Sequence, residues 1–154
     1  MTNRPKQIGT AAETAVTRIC LPYFPDAERR VLHGDADQGD IKLNRRWIVE
    51  VKGGKQTIQV GDKLLAKWVT ELWTEIGHAG AEHGFLVLQR AGVGAPNAHR
   101  WWAYIPLGHL IDAMTGAYRA APSVYDTMVR LELGQLLAVL ASAGETDVVP
   151  DVAA

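Results

Sequence analysis

The chain has almost no cysteine. Cys20 stands alone, so an internal disulfide and a four-cysteine zinc site are both excluded. The histidines do not replace it as ligands: His33, His78, His83, His99 and His109 show no metal-ligand spacing, and His78 and His83 lie on either side of a glycine rather than on one helix face. No apolar run is long enough to cross a bilayer. The opening MTNRPKQIGTAAE lacks the apolar centre of a signal peptide, and the expectation is an intracellular, cytoplasmic protein. Net charge is nearly absent as well, at −1, so the chain as a whole is not the strongly cationic body that suits tight nucleic-acid binding. There is no repeat, coiled-coil heptad or linker, and 154 residues suit one domain built on one sizeable core.

The charge that is present is uneven. Residues 1–60 carry 10 Lys/Arg against 7 Asp/Glu, and the remainder carries 6 against 10. If Asp35, Asp37, Asp40 and Glu50 hold metal ions, the rest of the N-terminal part becomes a basic surface of the kind a phosphate backbone requires.

Residues 1–7 read as a loose arm. Gly9 to Leu21 reads as a helix, with Ile8, Ala12, Ala15, Val16, Ile19 and Cys20 near one face and Thr10 with Glu13 as a capping box. Pro22 and Pro25 end it. Strands are expected at Arg29–His33, Asp40–Leu43 and Trp47–Lys52, the last two forming a hairpin across Asn44-Arg45-Arg46. Val60–Ile76 has a helical stripe of Leu64, Leu65, Trp68, Leu72 and Ile76. GFLVL at Gly84–Leu88 suits a central buried strand. Arg100–Ile105 reads as a strand, Leu107–Met114 as a short helix, Ser123 to about Ala143 as a last helix, and 145–154 as a frayed tail. The order predicts an α/β domain with a mixed sheet and helices on its faces.

The segment GDADQGDIKLNRRWIVEVKGG, Gly34–Gly54, interrupts an apolar strand with Glu50 and Lys52. Alternation puts Ile48, Glu50 and Lys52 on one face and Trp47, Val49 and Val51 on the other. The pair lies at the carboxyl end of its strand, where open α/β sheets bind ligands. Antiparallel pairing across the turn puts residues near 40 opposite residues near 50, so Asp40 and Glu50 can approach one another. Two such carboxylates repel, and a hard divalent cation, Mg²⁺ or Mn²⁺, removes that cost. Such an ion polarises a phosphoryl oxygen and acidifies bound water, while Lys52 stabilises developing negative charge or positions the attacking water. The residues also admit a plainer reading: Glu-x-Lys on an exposed edge is solvated, and DADQGD is an acidic turn.

These residues resemble the PD-(D/E)xK nuclease superfamily, and more closely the Holliday junction resolvases of archaeal and bacteriophage type. The likeness covers roughly residues 8–115 and rests on GTAAETAV, RRVLHGDADQGDI, WIVEVKGG and GFLVLQRAG. It implies a restriction-endonuclease-like mixed sheet flanked by helices. It also implies a site of Glu13, Asp40, Glu50 and Lys52, with Glu13, Asp40 and Glu50 as metal ligands. The implied protein is a homodimer that cuts four-way junctions symmetrically in recombination and repair and leaves 5′-phosphates, encoded by a phage and acting in its host's cytoplasm. It needs no membrane and no small-molecule cofactor beyond Mg²⁺ or Mn²⁺. The chain departs from the pattern where Gly39-Asp40 replaces Pro-Asp, where Gln89-Arg90 replaces a basic pair, and in the tryptophans of the helix after Lys52.

Lys6, Arg29, Arg30, Arg45, Arg46, Lys55, Gln56, Gln59 and Lys63 are the expected DNA contacts, each with the alternative of a solvated surface role. Asp35 and Asp37 are loop acids, with Asp37 the better placed of the two to reach a metal or its water shell. Trp101 and Trp102 must face opposite ways, one into the core and one toward an interface or a base. Two further readings stay open: a general DNA nuclease of the same superfamily, and a non-catalytic DNA-binding protein with the nuclease fold.

Overall fold

Along Trp47–Lys52 successive side chains enter two different cores. Trp47, Val49 and Val51 pack with Ala12, Ala15 and Val16 on one side of the sheet, whereas Ile48 packs with Trp68, Leu72 and Ile76 on the other. The computed structural model describes residues 4–30, 39–116 and 122–151. Six strands, β1 (Glu28–Arg29), β2 (Ile41–Lys42), β3 (Trp47–Lys52), β4 (His83–Leu88), β5 (Trp102–Pro106) and β6 (Met128–Glu132), lie side by side in chain order. All neighbours are antiparallel except β3 and β4, which run parallel and are joined by α2 (Asp62–Ala79). The chain is thus a single α/β domain with a mixed sheet between helical layers. No helix among the described residues is long and apolar enough to cross a membrane.

α1 (Arg4–Cys20) and α5 (Leu133–Ser142) cover one face of the sheet, α2 covers β3 and β4 on the other, and α3 (Leu107–Thr115) follows β5 directly. GFLVL lies within β4, buried along its whole length between β3 and β5, as its unbroken apolar run requires. In the β2–β3 hairpin the Asn44 side-chain oxygen accepts from the backbone N–H of Arg46 at 2.8 Å and of Trp47 at 3.1 Å. That local bond closes the turn without glycine.

Four sequence expectations need correction. α1 starts at Arg4, so 4–7 belong to the helix rather than to an arm, and Thr10 lies inside it. The capping box with Glu13 therefore does not form. The first strand is Glu28–Arg29, starting one residue earlier than expected and leaving Arg30 outside it, and 31–33 of the expected span lie outside the described residues. The single C-terminal helix is instead a short α4 (Pro122–Tyr125), the edge strand β6 and α5. Finally, the start of the C-terminal tail is tied down. Glu145 is buried and accepts from Trp47 Nε1 at 2.9 Å, and the N–H groups of Asp147 and Val148 donate to Tyr23 O at 3.1 and 3.2 Å.

Candidate active site

The register of the hairpin builds the site. Ile41 pairs with Val49, and one step further along, Asp40 stands opposite Glu50. Two main-chain bonds lock Asp40 there: its N–H donates to Val49 O at 3.1 Å, and Arg30 N–H donates to Asp40 O at 2.8 Å. Its side-chain Oδ2 accepts from Val51 N–H at 2.7 Å. Gly39 precedes it with φ +87°, and a Cβ there would meet Ile48 Cδ1 at 3.0 Å. Proline holds φ near −65°, so this backbone cannot carry the Pro-Asp pair of the superfamily's name.

Glu50 is only 4 % exposed. Its Oε1 pairs with Lys52 Nζ at 2.9 Å. Its Oε2 is buried with no hydrogen-bond partner among the described residues. Burial raises the Glu50 carboxyl to about 8, helped by the nearby Glu75 carboxyl and opposed by Lys52. Asp40 is also raised to about 8, first by burial, then by the charge of Glu50, with Val51 N–H pulling the other way and Glu13 adding a smaller push. Burial alone would lower the Lys52 ammonium. The Glu50 and Glu71 carboxylates outweigh that and hold it well above its ordinary value. Lys52 Nζ reaches Glu71 Oε2 at 3.1 Å and lies 5.8 Å from the Trp68 ring centre.

Glu13 comes from α1. The helix lies close to the end of β3 because Gly53 and Gly54 leave room: a Cβ on Gly53 would stand 2.9 Å from Ala12 Cβ, and one on Gly54 would stand 3.4 Å from Ile8 Cγ2. Gln89, from the end of β4, accepts from Gly54 N–H at 3.1 Å and pins this turn. The Glu13 carboxylate is turned to Arg29, with Oε2 accepting from Nη2 at 2.8 Å and Nε at 3.1 Å. Among the described residues no group of three or more His, Cys, Asp or Glu side chains is already gathered around one metal position.

The four expected site residues therefore meet at one end of the sheet, in two sub-clusters: Asp40, Glu50 and Lys52 together, and Glu13 held beside them by Arg29. Asp35 and Asp37 lie outside the described residues. Two residues that sequence reasoning missed belong to the same place. Glu71 and Glu75 extend from α2, and a groove of about 460 Å³ opens between that helix and Glu50 and Lys52, with Thr70 and Thr74 in its wall. Glu75 is 5 % exposed on the helix face that also buries Trp68, Leu72 and Ile76. An acid inside an apolar helical stripe was its available signal.

The expected DNA contacts divide. Arg29 and Arg30 lie beside Asp40, and exposed Lys55, Gln56 and Gln59 follow the Gly53–Gly54 turn. Lys63 is exposed on the first turn of α2, and Lys6 is exposed on α1 two residues before Ile8, which packs on that turn. Arg45 and Arg46 lie instead at the hairpin turn, at the opposite end of β3 from Lys52. Arg46 is occupied there by Glu82 at 3.0 Å and Glu145 at 2.9 Å. Their closeness to the site in sequence does not carry into space, because the chain reverses between Asp40 and Glu50. Trp101, just before β5, is buried in the core, and Trp102, the first residue of β5, is half-buried on the other face. Trp68 and Trp73 both project from α2 into the apolar cluster between that helix and the sheet. Compared with known proteins, the chain matches no family model, no curated protein and no solved structure.

Proposed function

We propose that the protein is a metal-dependent, structure-selective DNA endonuclease of restriction-endonuclease-like fold that cuts four-way junctions as a homodimer. The observation that carries this reading is the pairing of half-buried Asp40 with buried Glu50 beside Lys52 at the carboxyl end of β3. A buried carboxylate oxygen without a donor is costly unless a proton or a cation meets it, and Glu50 Oε2 is such an atom. The donor set is all oxygen, which suits Mg²⁺ or Mn²⁺. Asp40 and Glu50 would hold the ion, and Glu13 would join them on leaving Arg29. When bound, the ion supplies electrophilic activation of the scissile phosphate and a more acidic water.

The remaining work falls to the chain itself. Lys52 is kept cationic by Glu50 and Glu71, so it places a fixed positive charge where the attacked phosphorus gains negative charge. Val51 N–H orients the Asp40 carboxylate. Arg29, when released from Glu13, is free to meet a phosphate.

The test is cleavage of an immobile four-way junction in Mg²⁺, mapped at nucleotide resolution beside a matching linear duplex. Paired symmetric cuts confined to the junction, absent in Asp40→Ala and Glu50→Ala, are the expected result, and both variants should keep the wild-type circular dichroism spectrum. Cuts in every substrate would leave the site standing and make the enzyme a general nuclease. Variants that cleave normally would remove the site assignment.

One observation favours the non-catalytic reading. The side chains of Glu13 and Lys52 are already engaged in ion pairs within the chain, with Arg29 and with Glu50 and Glu71. On that reading the wild type binds the junction and leaves it intact in both Mg²⁺ and Mn²⁺.

A further inference from the structure

Lys52 of β3 pairs with Leu88 of β4, and Leu88 pairs with Trp102 of β5. Directly opposed residues share a face, and Leu88 and Tyr104 both join the apolar cluster under α2. Trp102 therefore stands on the same face and at the same sheet end as Glu50 and Lys52. Two interstrand steps separate its backbone from that of Lys52, about 10 Å.

The Trp102 indole is held between two guanidinium groups. Arg90 lies 4.0 Å from its ring centre and Arg130 lies 4.1 Å from it. The two arginines are not equivalent. Arg90 Nη1 donates to Glu132 Oε1 at 3.0 Å and to Arg100 O at 3.2 Å, so it is a fixed support. Arg130 is exposed on the edge strand β6 and has no carboxylate partner among the described residues. Stacking occupies the flat face of a guanidinium and leaves its in-plane N–H fork directed outward. Gathering two cations on one indole with a single neutralising carboxylate leaves an excess positive charge, and Arg130 carries it. With both indole faces covered, base stacking on Trp102 is not the use of this arrangement.

We propose that the Arg90–Trp102–Arg130 stack is a phosphate-binding station for the nucleic-acid strand that reaches Lys52, with Arg130 as the contacting group. The inference rests on the nuclease reading of the neighbouring site and adds to it the direction in which substrate leaves that site, across β4 and β5.

The experiment is equilibrium binding of the full chain to a fluorescently labelled four-way junction and to a linear duplex in EDTA, over a range of salt. Single-turnover cleavage in Mg²⁺ is measured in parallel. Arg130→Gln should weaken binding several-fold and reduce the slope of log K against log salt by about 1. The cleavage rate at saturating DNA should remain that of the wild type. Arg130→Lys should retain the slope, and Arg45→Gln, at the far end of the sheet, should leave both quantities unchanged. An unchanged slope in Arg130→Gln overturns the station and leaves the nuclease reading intact, and so does an equal loss in Arg45→Gln. A wild-type protein that binds neither DNA overturns both readings. Loss of cleavage in Asp40→Ala with its binding slope preserved separates catalysis from this contact.

Discussion

At the scale of single residues, the site stores electrostatic strain that pH should reveal. Burial raises both Asp40 and Glu50 to about 8, helped at Asp40 by the charge of Glu50 and at Glu50 by the Glu75 carboxyl. Each binds a proton more tightly in the folded than in the unfolded chain, so their contribution is fully present below pH 4 and is lost as pH rises through about 8. His109, lowered to about 4 by burial and by His83, and His83, lowered by burial, act in the opposite sense. Their contribution is present above about 6.5 and lost as pH falls. The two effects oppose each other below 6.5, which leaves pH 6.5–8 as the window where the carboxylates act alone. The metal-free protein should melt at progressively lower temperature across that window. Asp40→Asn should flatten the decline, and added Mg²⁺ should raise the melting temperature more at pH 8 than at pH 6.5. Differential scanning fluorimetry in EDTA and in Mg²⁺ measures all three. Residue types and alternation were enough to select Asp40, Glu50 and Lys52. Glu75 escaped because the helical stripe on α2 reads as core, and only the packing of α2 against β3 turns that acid toward Glu50.

At the scale of elements, two glycine positions decide how the site is assembled. Gly39 has φ +87°, so Gly39→Pro, which would introduce the Pro-Asp pair of the PD-(D/E)xK nucleases, should destabilise the protein by more than about 1 kcal/mol and lower cleavage rather than improve it. Urea melts and initial rates check this. Gly53→Ala places a methyl 2.9 Å from Ala12 Cβ. That atom is attached to the α1 backbone and cannot swing away, so the helix must shift and take Glu13 with it. The cost should be about 1–3 kcal/mol, with a larger loss of cleavage than of DNA binding. The hairpin was legible because its turn is short and its alternation strict. β6 was not. Met128–Glu132 is a half-buried edge strand whose apolar residues run directly into those of α5, and one continuous helical pattern describes that stretch nearly as well. Pairing with β5, from Trp102 opposite Glu132 to Pro106 opposite Met128, is what selects the strand.

At the scale of the whole molecule, the end of the chain closes the fold over its hairpin. Glu145 ties α5 to β3 through Trp47 Nε1 and to the turn through Arg46. Glu145→Ala leaves a buried indole N–H without its acceptor and should cost about 1–3 kcal/mol. Cleavage at saturating metal should not change, since this contact lies at the opposite end of β3 from Lys52. Chemical denaturation beside a cleavage assay tests the separation. Charge also takes on meaning only at this scale. A net charge of −1 conceals a sheet end where cations and carboxylates interleave: Arg29 pairs with Glu13, Lys52 with Glu50 and Glu71, and Arg90 with Glu132.

By itself, the sequence determined the α/β class, the central buried strand and the facing of Asp40, Glu50 and Lys52. Periodicity and strand alternation are local properties of the backbone. The tertiary structure alone decided that Glu71 and Glu75 join them, that Arg45 and Arg46 stand apart, and that Trp102 is held between two arginines. Those relations depend on which distant segments pack together, and no local period encodes that.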